Sequence, residues 1–296
     1  MKIRVSLPRH IFNSFNVIIL TIVALSCTLP IIHVLAISLS SNNAASAGHV
    51  GLIPVDFTLA SYEYLTRKLD FFRSVGISVM RVLVGTTVNM ILLIITAYPL
   101  SKSNKVFRGR NIYMIFFVIT MFLSAGLIPT YMIIRNLGLL NNYAVLILPG
   151  ALNVWLMIIL MNFMRGIPKS LEEAAAIDGA SYWKILFLVV VPVSLPSLAS
   201  LLLFSMINHW NAWFDGMFYM NNVNKYPMAT YLATQIMSSN RNMTNMTPEQ
   251  LEILAALSEK TVRSAQLFIS IVPILIVYPF LQRFFIKGIV VGAVKE

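Results

Sequence analysis

Residues 12–37, FNSFNVIILTIVALSCTLPIIHVLAI, contain no Asp, Glu, Lys or Arg. A helix of that length, rising about 1.5 Å per residue, covers the roughly 30 Å hydrocarbon core of a bilayer with some tilt. Lys2, Arg4 and Arg9 precede the run as in a signal peptide. The apolar stretch is nevertheless far longer than the roughly 7–15 residues of a signal core, which predicts an uncleaved spanning helix kinked at Pro30. Five further apolar runs follow, at about 75–99, 112–134, 144–164, 185–208 and 265–286. The expected fold is therefore all-α: a polytopic membrane protein with about six transmembrane helices. Composition agrees, because 58% of residues are hydrophobic and 11% charged, against roughly 25% charged in soluble domains.

An even number of spans places both termini on one side, and the distribution of Lys and Arg names it. The N-terminus (1–11), the 100–111 loop, the 165–184 loop and the tail (287–296 with Arg283) carry 13 of the 22 basic residues, whereas the opposite face carries 8. Arg81 lies within a span. Only 4 acids share the first face, and its basic segments are short, where the rule is most reliable. Both termini are thus expected in the cytoplasm, bounding a transmembrane domain of 12–286 with an outer segment at 209–264. The net charge of +11 reads as membrane topology and not as a nucleic-acid surface.

The insertion 165–196, RGIPKSLEEAAAIDGASYWKILFLVVVPVSLP, interrupts the oily runs on the cytoplasmic face. Ser170 followed by Glu173 reads as a capping box, Pro168 bars an earlier helix start, and Gly179 offers a left-handed end. The expected result is a helix of about two turns over 170–179. Its Ala174, Ala175 and Ala176 allow a partner surface close approach, while Glu172 and Glu173 offer charge to Arg or Lys. An ordinary short helix in a polar loop remains the alternative reading of these residues.

Five of the six runs hold an internal proline, each of which frees a backbone carbonyl that lipid cannot satisfy. Arg81 either snorkels to the interface or packs against a partner and lines a path. Asn153, Trp155 and Asn162 are candidates for lining a path or for joining helices by hydrogen bonds. HWNAWFDGMFYM is rich in rings, so Trp210, Trp213 and Tyr219 fit either an interfacial belt or stacking on a sugar. Thr247-Pro248-Glu249-Gln250 predicts a capped outer helix through about Leu257. Asn242-Met243-Thr244 and Asn245-Met246-Thr247 match the glycosylation sequon, which acts only in a eukaryotic secretory context.

Several classes drop out. No G-x-x-x-x-G-K-[ST] phosphate loop, H-E-x-x-H motif or nucleophile elbow occurs. His10, His33, His49 and His209 share no spacing, and Cys27, the single cysteine, excludes an internal disulfide. No catalytic residue, bound cofactor or metal is expected. The spans lack the carboxylates of a proton-coupled carrier, while sodium coupling through carbonyls stays open.

Glu173-Ala174-Ala175, three residues, Gly179, nine residues, then Val189-x-Val191-Pro192 resembles the EAA motif of binding-protein-dependent ABC importer permeases, with Val in place of that motif's Ile and Leu. AGLIPTYMIIRNLGLLNN, HWNAWFDGMFYM and YPFLQRFFIKGIVVGAVKE are similar to the carbohydrate-uptake branch, which contains the maltose importer's smaller permease. The last two are most similar to permeases for complex oligosaccharides such as alginate fragments. The resemblance covers about residues 12–296.

That resemblance implies alternating access driven by partner ATPases. Glu172, Glu173, Ala174, Ala175, Asp178, Gly179 and Pro192 would form the ATPase-coupling site, with Glu173 or Glu172 paired to a basic residue there. Lys287, Gly288 and Lys295 would make secondary ATPase contacts. It further implies a paralogous permease subunit in a heterodimer, two ATP-binding subunits that use ATP and magnesium, and an extracytoplasmic solute-binding protein delivering carbohydrate. The segment 248–257 and the HWNAWF stretch would be surfaces for that binding protein. An ABC permease for another solute class, a secondary carrier and a purely structural membrane subunit are the competing expectations.

Overall fold

The computed structural model describes residues 7–238 and 259–293, and among these every regular element is helical. Three helices are long and apolar enough to cross a membrane, and up to six spans result if each of three bent pairs counts as one. By Cα packing the described residues fall into two units, one of 7–69 with 259–273 and one of 70–238 with 274–293.

In the first unit, α1 (Leu7–Ser38) continues through Pro30 as a helix, and its apolar side chains from Ile11 to Leu25 face outward, as lipid-facing residues do. Its end is tied to the following loop. Ser40 Oγ donates to the Ala36 carbonyl at 2.6 Å and accepts from the Val55 amide at 3.0 Å. The short helices α2 (Asn42–Ser46) and α3 (Ala60–Arg67) complete this end, with Ala44, Ala45 and Val50 buried against Ala36 and Ile37. Helix α3 takes up most of the stretch SYEYLTRKL.

The second unit is organised around α4 (Leu69–Ser101). One of its faces buries Met90, Leu93, Ala97, Tyr98 and Leu100 against Leu156, Met157, Leu160, Met161 and Met164 of α7 (Val154–Arg165) and against Leu198 and Leu201. The last carbonyls of α4 lack intrahelical donors. Leu100 O accepts from Arg110 Nε at 2.7 Å and from Arg165 Nη2 at 3.3 Å, so two residues of the basic loops also hold a helix C-terminus.

Three of the expected spans are broken into bent pairs. The run 112–134 divides into α5 (Arg110–Phe122) and α6 (Leu127–Asn136), which meet at 114°. Gly126 turns the chain at φ 83° and ψ 176°, a region open essentially to glycine alone, and Pro129 fits the first turn of α6, where no amide donor is needed. At 13 and 10 residues, each half covers about 15–20 Å and is too short to cross alone.

The run 144–164 opens as 3₁₀ turns at Tyr143–Leu146 and Leu148–Gly150, because Pro149 cannot donate to an α-helical ladder. Helix α7 then starts at Val154, bent 48° from those turns. The run 185–208 is bent by 82°. There α9 (Tyr182–Ile185) passes into a π turn over Leu186–Val190, then α10 (Val191–Val193), then α11 (Leu195–Asn211). Pro192 and Pro196 each remove a ladder donor, and the Ser194 amide bridges the gap by donating to Val190 O and Val191 O.

Helix α12 (Phe214–Tyr219) and α13 (Met228–Ser238) follow, and α14 (Glu259–Ala293) contains the sixth run with Lys287 and Gly288. The helix expected after Thr247, both sequons and Lys295 lie outside the described residues.

Candidate functional site

Helix α8 (Lys169–Ile177) carries the Glu-Ala-Ala run. It begins one residue earlier than the sequence reading has it: Pro168 occupies the N-cap position and no side chain caps the helix. Ser170 is already helical, so it cannot adopt the extended geometry a capping side chain requires, and the Ser170–Glu173 box does not form. The glycine end is present. Gly179 sits at φ 77°, its amide donates to Ala176 O and the Ala180 amide donates to Ala175 O, the paired bonds of a Schellman motif.

The two sides of α8 differ. Ala175 packs on the core formed by α4, α7 and the π turn, and one turn earlier Glu172 forms an ion pair with Lys102 just beyond α4. Lys102 Nζ also lies 4.0 Å from the Tyr98 ring centroid, a cation–π contact. Glu173, Ala174, Asp178 and Gly179 face outward and are exposed, as are Leu171 and Ile177, the latter 86% accessible. Pro192 is exposed beside the π turn and does not lie on α8.

A second constellation lies along α4. Arg81 is 3% exposed, so it does not snorkel. Its guanidinium grips Asp215 of α12 in bidentate fashion, with Nη1 3.1 Å from Oδ1 and Nη2 on Oδ2, and Nη1 also donates to Ala212 O at 3.0 Å. Around the pair lies a cavity of about 410 Å³. Asn89, Asn153, Ser205, Asn208, His209 and Tyr219 contribute to its wall. Asn153 has two tasks there, because its side chain also caps α7 by accepting from the Leu156 amide at 3.2 Å. Burial, and then the Asp215 carboxylate, raise the Tyr219 phenol above its ordinary value and keep it neutral.

Of the aromatic candidates, Tyr219 alone reaches this wall. Trp210 is buried elsewhere, Trp213 is half-exposed against the edge of Phe214, and Trp155 points away at 59% exposure. Asn162 is exposed on α7 and does not line the cavity. Asp215, Asn89 and Ser205 escaped the sequence reading. Asp215 had a usable signal, being the only acid between Asp178 and Glu249 and so the natural counter-charge for a buried arginine.

Close packing fixes one wall. A Cβ on Gly85 would lie 2.6 Å from His209 Cε1 and 2.7 Å from Nε2, so the buried ring must shift to admit it. Gly85→Ala should lower stability by about 1–3 kcal/mol, read as an earlier thermal unfolding transition in detergent. Unchanged unfolding would show that the imidazole can move.

Residues 6–291 match the family described as binding-protein-dependent transport system inner membrane component. The polygalacturonan/rhamnogalacturonan transport system permease protein YtcP of Bacillus subtilis is 37% identical across 92% of this chain and 94% of its own length. Protein LplC of the same organism is 35% identical across 97% and 95%. Among solved structures, a chain of a bacterial ABC transporter involved in the import of the acidic polysaccharide alginate superposes with a TM-score of 0.85 at 32% identity, covering 96% of this chain and all of the other. The chain belongs to the binding-protein-dependent transport system inner membrane components, the membrane-embedded permeases of ABC importers.

Proposed function

We propose that the chain is one of two paralogous permease subunits of an ATP-driven importer for oligosaccharides, with both termini and α8 in the cytoplasm. Two ATPase subunits supply ATP and magnesium chemistry, and a solute-binding protein delivers the sugar from outside. The transmembrane domain is 12–286, and α8 is the joint to the motor. ATP binding draws the ATPases together, α8 follows, and the cavity opens outward to receive sugar; hydrolysis resets it inward. The sugar cargo is supported by the polygalacturonan/rhamnogalacturonan and alginate transporters to which the chain is similar.

The observation that carries the coupling role is the outward face of α8. A helix of 9 residues is too short to cross the bilayer, yet it presents Ile177 uncovered one turn from Glu173 and Ala174. Exposed apolar residues grouped with a charge mark a protein contact. Glu172 and Ala175 on the opposite side tie the helix to α4 and the core, giving a mechanical link from the contact to the spans.

The test is purification of the tagged chain with its neighbouring subunits from native membranes. The expected result is a complex containing an ATPase and a second permease, which takes up oligosaccharide in proteoliposomes only with ATP and binding protein. Uptake by this chain alone, driven by an ion gradient, would overturn the proposal.

A further inference from the structure

A second groove, of about 430 Å³, opens where α4 gives way to the basic loop. Ile95, Pro99, Val106, Phe107, Tyr182 and Trp183 line it, and Lys102 stands at its wall. Ile95 lies about two turns inside the apolar helix α4, whereas Val106 and Phe107 belong to the loop beyond it. The groove therefore runs from hydrocarbon depth toward the headgroup layer. Tyr182 and Trp183 are exposed, with the Trp183 ring stacked on Phe187 at 6.1 Å. Rings of this kind gather where a membrane meets water. No residue of α8 lines the groove, which sets it apart from the contact proposed for the motor.

The charges around it have one sign. Lys102 is committed, held by Glu172 and by the Tyr98 ring. Lys105 precedes Val106, Arg108 follows Phe107 and Lys184 follows Trp183, and all three are exposed. Among the described residues, no ion pair or side-chain hydrogen bond engages these three cations. No Asp or Glu lines the groove or adjoins a lining residue in sequence. An apolar slot that starts within a span and ends among uncompensated cations complements a hydrocarbon tail joined to an anionic head. Basic pockets between spans on the cytoplasmic side take phospholipid headgroups on this principle.

We propose that this groove holds an anionic phospholipid of the cytoplasmic leaflet, with an acyl chain against Ile95, Phe107 and Trp183 and its phosphate among Lys105, Arg108 and Lys184. The choice of leaflet rests on the topology proposed above.

Photocrosslinking in the full complex tests it. The complex is reconstituted in nanodiscs with a trace of phosphatidylglycerol or phosphatidylcholine carrying a diazirine on one acyl chain, and crosslinked peptides are mapped by mass spectrometry. Phosphatidylglycerol should mark the peptides of 95–107 and 182–187. Each cation near an anionic surface is worth about fivefold in binding, so Lys184→Gln should lower that yield about fivefold. The triple change with Lys105→Gln and Arg108→Gln should bring it down to the phosphatidylcholine yield, with the partner subunits still co-purifying. Equal yields from the two lipids, or an unchanged yield in the triple variant, would overturn the site. Marking that appears only after the ATPase is stripped away would overturn it too, because the groove would then be covered by protein. Excess inorganic phosphate should leave the yield unchanged, and suppression by phosphate would assign the cations to a free anion instead. Topology is read separately with Ser103→Cys in a Cys27→Ser background, which should react with an impermeant thiol reagent in inside-out vesicles. Reaction confined to right-side-out vesicles would refute the topology, and the leaflet with it, while the crosslinks stood.

Discussion

Glu173→Lys is expected to abolish ATP-driven uptake while leaving the chain in the membrane at normal abundance. The residue is exposed on the outer side of α8 and makes no contact that the fold needs. Surface changes of this kind ordinarily alter stability by less than about 0.5 kcal/mol. At an interface the balance differs, because a reversed charge set against a basic partner loses the attraction and adds repulsion. Losses of about 2–5 kcal/mol for such positions correspond to binding weaker by about 30-fold or more. Membrane fractionation, co-purification of the ATPase and sugar uptake would be measured together. Normal uptake would remove α8 as the coupling element, and loss of the chain from the membrane would show that Glu173 supports the fold instead.

Arg81→Leu should be the most destabilising single change along α4. It leaves the Asp215 carboxylate, whose side chain is 24% exposed, without its bidentate partner. Breaking a buried pair typically costs about 3–5 kcal/mol, and the partial exposure of Asp215 places the expected value near the lower end. The double change Arg81→Leu with Asp215→Leu should recover much of that loss, since it removes both desolvated charges. Thermal unfolding of the purified variants in detergent reads both effects. If the double variant is no more stable than Arg81→Leu, the pair is not a coupled unit.

The contrast between these two positions shows what a single chain of letters conveys. Apolar length is additive along the sequence, so the six runs and the polar interruption at 165–184 were legible, and Gly179 announced its own turn. Direction is not additive. The 82° break near Pro192 depends on how a ladder with missing donors is re-paired through a π turn, and the 114° break at Gly126 depends on a backbone angle that no hydropathy average contains. The Ser170 cap failed for a local reason: Pro168 set the helix start first. The Arg81–Asp215 pair was hidden by distance, joining residues 134 positions apart. A charge in an apolar run signals that a partner exists, and only the folded chain names it.

The division of α8 into two sides also bears on how such a subunit can change owners. Glu172 and Ala175 answer to the chain's own body, whereas the side chains of Glu173, Ala174 and Ile177 are left exposed among the described residues. Substitutions on the outward side can therefore accumulate without disturbing the transmembrane packing. On the proposed coupling role of α8, a genome could retune which motor drives such a pore, or let one motor serve several pores, by editing a handful of positions on a two-turn helix.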